Sequence, residues 1–181
     1  NARFSSVVGL RLSAAQVSGA TYINPEPRVL LNYDVTSQHA FSLSYSKMVQ
    51  YMFLLSGSSV MLPTDLWYGV TNKIKPQEAH VFSVGYKWQN NHHTSRFEVY
   101  YKPMHNLVEY KEGSVELGSS KVDEVAVQGD GEAYGFEWMN TNKFGKLNVT
   151  TAYTLSWSTR TFSDLNEGKQ FYARFDRRHD F

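Results

Sequence analysis

The chain contains no cysteine in 181 residues, so neither a disulfide framework nor a zinc site built on thiolates is open to it. It also lacks an excess of charge of either sign. Eighteen Lys and Arg stand against 17 Asp and Glu, a net charge of +1, and a nucleic-acid partner is not expected. No apolar run approaches the roughly 18 residues that a membrane helix needs. That absence leaves the bilayer open, because a barrel strand crosses it in about 9–11 residues and turns half of them inward. The opening Asn1-Ala2-Arg3-Phe4 shows no basic stretch followed by an apolar stretch and a cleavage site, so no export signal is legible.

Alternating aromatics are abundant. They make up 15% of the chain, and the 12 tyrosines suit a headgroup level where a ring meets lipid and a hydroxyl meets water. From Leu147 to Ser158, Leu147, Val149, Thr151, Tyr153, Leu155 and Trp157 share one parity, and Asn148, Thr150, Ala152, Thr154, Ser156 and Ser158 the other. Successive side chains of a strand point to opposite faces, so one face is apolar and the other small and polar. Phe41, Leu43 and Tyr45 oppose Ser42, Ser44 and Ser46; Phe82, Val84, Tyr86 and Trp88 oppose Ser83, Gly85 and Lys87. Phe97, Val99 and Tyr101 oppose Arg96, Glu98, Tyr100 and Lys102, while Val29, Leu31 and Tyr33 oppose Arg28, Asn32 and Asp34, with Leu30 as an exception.

These patterns predict strands at about 4–12, 28–34, 40–46, 80–88, 95–102, 131–140, 146–158 and 171–181. The connections alternate in length. Val35 to His39, Gln89 to Thr94 and Thr141 to Gly145 are tight and carry turn residues; Ser13–Pro27, Lys47–Ala79, Pro103–Asp130 and Thr159–Gln170 are far longer than a hairpin requires. Short turns on one side and long loops on the other are a property of transmembrane barrels. The expected fold is all-β: an antiparallel up-and-down transmembrane β-barrel segment of about eight strands with long extracellular loops. Two other readings use the same pattern. One is a complete small barrel, since about eight strands is the smallest size; the other is a soluble β-sandwich acting as a ligand-binding module. Arg177 and His179 would share the parity of Phe171, Ala173 and Phe175, and an Arg on the lipid face near the midplane costs about 2–4 kcal/mol. A charged end lying at the rim of a larger barrel avoids that cost.

A series of short motifs runs in order along the chain: Glu26-Pro27-Arg28-Val29-Leu30-Leu31-Asn32-Tyr33-Asp34, Ser44-Tyr45-Ser46-Lys47-Met48-Val49-Gln50-Tyr51, Leu62-Pro63-Thr64-Asp65-Leu66-Trp67, Ile74-Lys75-Pro76-Gln77 and Gly85-Tyr86. Tyr100-Tyr101-Lys102, Val108-Glu109-Tyr110-Lys111, Gln128-Gly129, Ala133-Tyr134-Gly135, Gly145-Lys146-Leu147, Tyr153-Thr154-Leu155-Ser156 and Phe175-Asp176-Arg177-Arg178-His179-Asp180 continue it. Over nearly its whole length the chain resembles the barrel of TonB-dependent outer-membrane receptors, particularly the Bacteroidetes type. The resemblance implies a bacterial outer-membrane location and a barrel of about 22 strands around an N-terminal plug. It also implies import of a scarce nutrient (a metal chelate, glycan, peptide or vitamin) driven by TonB through a segment ahead of the plug. With no plug and room for about eight strands, residues 1–181 are expected to be a partial barrel domain, a mid-to-late stretch of wall. Its expected partners are outer-membrane lipid, the plug, the remaining strands and TonB.

No catalytic residue, metal ligand or cofactor site is expected. The six histidines show no zincin spacing, and His92-His93, flanked by Asn90, Asn91 and Thr94, read as a polar hairpin tip. No Gly-x-Ser-x-Gly elbow is present, and Ser56-Gly57-Ser58-Ser59 reads as a loop. Glu109, Glu112, Glu116, Asp123 and Glu124, mixed with Lys111 and Lys121, read as a solvated loop. Tyr51, Met52, Phe53, Leu54 and Leu55 form one apolar cluster, and Leu62, Pro63, Leu66, Trp67 and Tyr68 a second; they are expected to pack together as an external cap. Asp65, Trp67 and Tyr68 are candidates to line a ligand vestibule. Arg174, Asp176, Arg177 and Arg178, with His179 and Asp180, form a charge cluster expected at the outer rim. They read as a salt-linked patch or as a contact for lipopolysaccharide phosphates.

Overall fold

The computed structural model describes residues 3–55, 66–111 and 122–181. In chain order the strands are β1 (Phe4–Val17), β2 (Ala20–Asp34), β3 (His39–Gln50), β4 (Met52–Leu55), β5 (Leu66–Gly69), β6 (Gln77–Gln89), β7 (His93–Tyr110), β8 (Ala126–Phe144), β9 (Leu147–Thr161), β10 (Phe171–Tyr172) and β11 (His179–Asp180). One helical turn, α1 (Val122–Val125), precedes β8. The main sheet runs β1-β2-β3-β6-β7-β8-β9, antiparallel throughout. Its eighth position is shared by β10 and β11, both paired to β9. β4 and β5 form a separate hairpin.

The register turns the alternation of single strands into continuous bands. Leu31, Leu43, Val84, Val99, Phe136 and Leu155 lie side by side across six strands. Toward the tight turns the adjacent row is Tyr33, Phe41, Tyr86, Phe97, Trp138 and Tyr153; away from them it is Val29, Tyr45, Phe82, Tyr101, Tyr134 and Trp157. An aliphatic row flanked by aromatic rows is what lipid selects, with rings toward the interfaces and branched aliphatics between. This face is uncovered by any second layer: Leu43 is 51% exposed and Val99 59%.

The tight turns step along the register. The last ladder pairs before them involve Asp34, three residues beyond Leu31 (34 − 31); Gln89, five beyond Val84 (89 − 84); and Phe144, eight beyond Phe136 (144 − 136). For turns on one level, a slip of about five residues at ~3.3 Å each, across four strand spacings of ~4.8 Å, means strands tilted by about 40°. That is the tilt of a closed-barrel wall.

The structure corrects several boundaries. Ser13–Pro27 is not a long loop: β1 and β2 continue through it to a two-residue turn at Ser18-Gly19, where Gly19 takes a φ of 85°. The connections expected from Lys47 and Pro103 also begin later, since β3 reaches Gln50 and β7 reaches Tyr110. Beyond the bilayer both faces of a strand meet water, so the alternation fades while the backbone ladder carries on. The last block is not one strand: a turn from Ala173, with the Asp176 amide donating to the Ala173 carbonyl, separates β10 from β11. The sandwich reading fails because the second sheet among the described residues, β4 with β5, is a two-strand pair that meets the main sheet only at one end and leaves its apolar rows bare. The small-barrel reading fails because, among the described residues, β1 pairs with β2 alone and the sheet does not close.

Burial concentrates at the end away from the tight turns. There Phe53, Ile74, Val108 and Ala126 form a core against which Tyr68 and Tyr110 pack. This small core makes a cap to which Phe53 and Tyr68 belong; Met52, Leu54 and Trp67 of the two expected clusters are exposed, and Leu62 and Pro63 lie outside the described residues.

Candidate functional site

The face opposite the apolar band is the candidate site, because it is the one that can border an aqueous pore. Small residues keep its backbone accessible. Gly135 lies in register with Tyr100, whose ring crosses the glycine so closely that an added Cβ would meet it at 3.0 Å and the Leu155 carbonyl at 2.6 Å. The Ser44 and Ser83 hydroxyls share a hydrogen bond of 2.7 Å.

Charges on this face fall in layers. Lys87 and Arg96 are cross-strand partners near the tight turns. One row farther, Glu98 and Glu137 face each other, and neither makes an ion pair among the described residues. Toward the cap, Arg11, Glu26, Arg28 and Lys102 line a groove of about 440 Å³ with Met48 and Met104. Glu26 is 1% exposed, and its Oε1 lies 3.4 Å from Arg11 Nε without a hydrogen bond. Sequence reading noted Arg28 and Lys102 only as polar-parity residues; the groove that joins them needs four strands in register.

Polar links close the mouth of the wall above this groove. The Tyr51 hydroxyl reaches Ser13 Oγ at 2.9 Å and accepts from Asn24 Nδ2 at 3.0 Å, while the Tyr22 hydroxyl donates to the Thr71 carbonyl at 2.7 Å. Gln128 clamps the chain before β6: Lys75 N–H donates to its Oε1 at 3.0 Å, and its Nε2 donates to the Lys75 carbonyl at 2.9 Å and the Asn106 carbonyl at 3.1 Å.

A seven-strand wall, apolar outside and charged inside, with tilted strands and a folded outer cap, meets its counterpart among known proteins. The model of the TonB dependent receptor-like β-barrel family matches residues 1–176. The chain belongs to that family. No curated protein matches it in sequence. In three dimensions it is similar to the FrpB iron transporter from Neisseria meningitidis (F3-3 variant), with a TM-score of 0.64 and 13% identity. The match takes in 93% of this chain and 25% of that one, so the chain spans about a quarter of FrpB. At that identity the likeness shows the fold alone.

Within the TonB-dependent receptor barrel, the vestibule candidates separate. Asp65 lies outside the described residues. Trp67 is 64% exposed on β5 beside Leu54, whereas Tyr68 on the opposite face packs against the cap core. The charges of the last segment do come together, but beside the central row and not beyond it, since β11 pairs His179 with Leu155. Arg178 stacks over Trp157 at 4.8 Å and Tyr172 at 5.0 Å and pairs with Asp176 at 3.2 Å, while the other Asp176 oxygen accepts from Ser158 N–H at 2.7 Å. Arg177 pairs with Asp180 at 3.0 Å, and Arg174 lies in the turn between β10 and β11.

Histidine partners were not legible from local spacing. The His39, His80 and His179 Nδ1 atoms contact the hydroxyls of Tyr86, Tyr45 and Tyr153 at 2.7, 2.9 and 2.8 Å, one strand away in each case. His105 pairs with Asp130 at 2.9 Å. At the hairpin tip Asn90 Oδ1 accepts from the backbone N–H groups of His92 and His93, each at 2.9 Å, as the turn chemistry implies. Of the acidic loop, Glu109 pairs with Arg160 and Asp123 accepts from Thr71, while Glu112, Glu116 and Lys121 lie outside the described residues. No group of three or more metal-ligating side chains occurs among the described residues.

Proposed function

We propose that this chain is a mid-to-late stretch of wall in the barrel of a TonB-dependent outer-membrane importer, of the Bacteroidetes type, that takes up a scarce nutrient. The observation that carries this reading is the register. Six strands align one row that is aliphatic but for Phe136 between two rows that are aromatic but for Val29 on one face, and serines, glycines and charges on the other. Lipid meets the first face and a hydrated lumen the second. In this reading a plug occupies the lumen, further strands complete the barrel, and TonB supplies energy through a segment outside this chain. Exposed Trp67, with Asp65 and Tyr68 nearby in sequence, belongs to the outer vestibule. The cluster of Arg174, Asp176, Arg177 and Arg178 lies along β9 between Leu155 and Ser158 and reads as a salt-linked patch.

Among a metal chelate, glycan, peptide or vitamin, the structural likeness to a protein described as an iron transporter favours the chelate. The test is uptake. Cells lacking the receptor gene and cells carrying it are compared for accumulation of radiolabelled ferric chelates and cobalamin, each with and without functional TonB. A gene-dependent, TonB-dependent component is expected. Uptake identical in all four backgrounds for these and for oligosaccharide and peptide probes would refute the importer reading.

A further inference from the structure

We infer that the luminal groove between β1 and β7 binds the oxyanion of a small solute, a carboxylate or a phosphate, through Arg28 and Lys102. The inference rests on the importer reading, which places this face in water. The groove has a volume of about 440 Å³, the size of a small organic molecule, and its charged lining is Arg11, Arg28 and Lys102 with Glu26 and Glu78.

These cations are in different states. Arg11 is held by the buried Glu26. Arg28 is exposed and Lys102 half-buried, and neither makes an ion pair among the described residues. A concave wall concentrates the field of both cations on the space they share. Glu26 attracts Arg28 as well as Arg11 and so offsets the cations only in part. It is 1% exposed and turned to Arg11, leaving one buried oxygen without a hydrogen bond at the back of the groove. The five charged groups that line the groove, three cations with the carboxylates Glu26 and Glu78, sum to +1, and Glu78 is turned to Lys47 at 2.7 Å. An arginine fork matches a planar carboxylate or a phosphate edge, and a lysine adds a point charge. Met48 and Met104 give the same groove an adaptable apolar side, so the preferred occupant carries its oxyanion on a compact organic body.

The absence of cysteine from the chain supplies the test. Gln77 lines the groove, and Gln77→Cys places a thiol there in the intact receptor, the unsubstituted receptor setting the background. Labelling by a membrane-impermeant maleimide is followed with citrate as the carboxylate probe and inorganic phosphate as the other. Expected is a labelling rate about tenfold lower at a probe concentration some ten times its Kd, with whichever probe protects naming the oxyanion. Arg28→Gln with Lys102→Gln should abolish protection, and Arg28→Lys with Lys102→Arg should retain it. Labelling untouched by both probes, or protection indifferent to Arg28 and Lys102, would overturn the site. So would a thiol that reacts only after the plug is deleted, which would give the groove to the plug. A thiol reached only by a bilayer-soluble maleimide would instead sink the underlying assignment of this face to the lumen.

Discussion

Gly135 and Gly85 occupy neighbouring luminal rows, yet their surroundings predict different costs for one added methyl. At Gly135 a Cβ would stand 2.6 Å from the Leu155 carbonyl and 3.0 Å from the Tyr100 ring, both held in register. At Gly85 the close atom is the Ser42 hydroxyl at 2.4 Å, which a rotamer change removes, and the next contact is 3.7 Å away. Gly135→Ala should therefore destabilise the folded wall by about 1–3 kcal/mol, the range for overpacking, and Gly85→Ala by less than about 1 kcal/mol. Urea titration of the receptor in detergent, read by the gel mobility of unheated samples, separates them; equal midpoints would contradict the packing argument. Neither glycine has a positive φ. Both are required by space, which neither local composition nor parity can disclose.

Elements divide into two groups that answer to different solvents. The strand segments carrying the aromatic rows depend on hydrocarbon, so Val99→Arg, in the central aliphatic row, should cost about 2–4 kcal/mol in vesicles. Ala152→Arg, on the luminal face of β9, should be nearly neutral. The folded fraction after refolding into lipid vesicles measures both, and similar losses for the two would show that the faces are not as assigned. The cap has its own core. Phe53, 2% exposed, lies at its centre, and Phe53→Ala should loosen the cap by about 3–5 kcal/mol. Hydrogen exchange should then quicken at Tyr68 and Val108 while amides of the aliphatic row, such as Leu43 and Val84, stay protected. Acceleration in both regions would mean that cap and wall unfold as one unit.

At the scale of the whole molecule, the sheet is open. Among the described residues β1 pairs with β2 alone, leaving a strand of 14 residues with an unpaired edge, and Val8, Leu10 and Leu12 on it are about 70% exposed. Unpaired edges and broad apolar faces drive association in water. The 181-residue chain by itself should oligomerise or require detergent, as light scattering with and without detergent will show. A dilute, monodisperse monomer in plain buffer would contradict the lipid-facing assignment. Tyr153, Leu155 and Trp157 are less open than the aliphatic row elsewhere because the last segment folds over them: His179 and Phe181 lie against Tyr153, and Arg178 against Trp157.

The sequence by itself determined the all-β class, the outer-membrane barrel pattern and the positions of three tight turns, though not of the fourth at Ser18-Gly19. Two immiscible solvents on opposite faces impose a period of two on each strand, and a periodicity of that kind is a local property. Tertiary structure alone decided where the strands end, since beyond the bilayer the ladder persists without a solvent contrast to mark it. It also decided which distant groups meet. Arg11 with Glu26, Glu109 with Arg160, His105 with Asp130, and the groove shared by Arg28 and Lys102 are products of register. Register is fixed by all the strands together, so no single segment carries it.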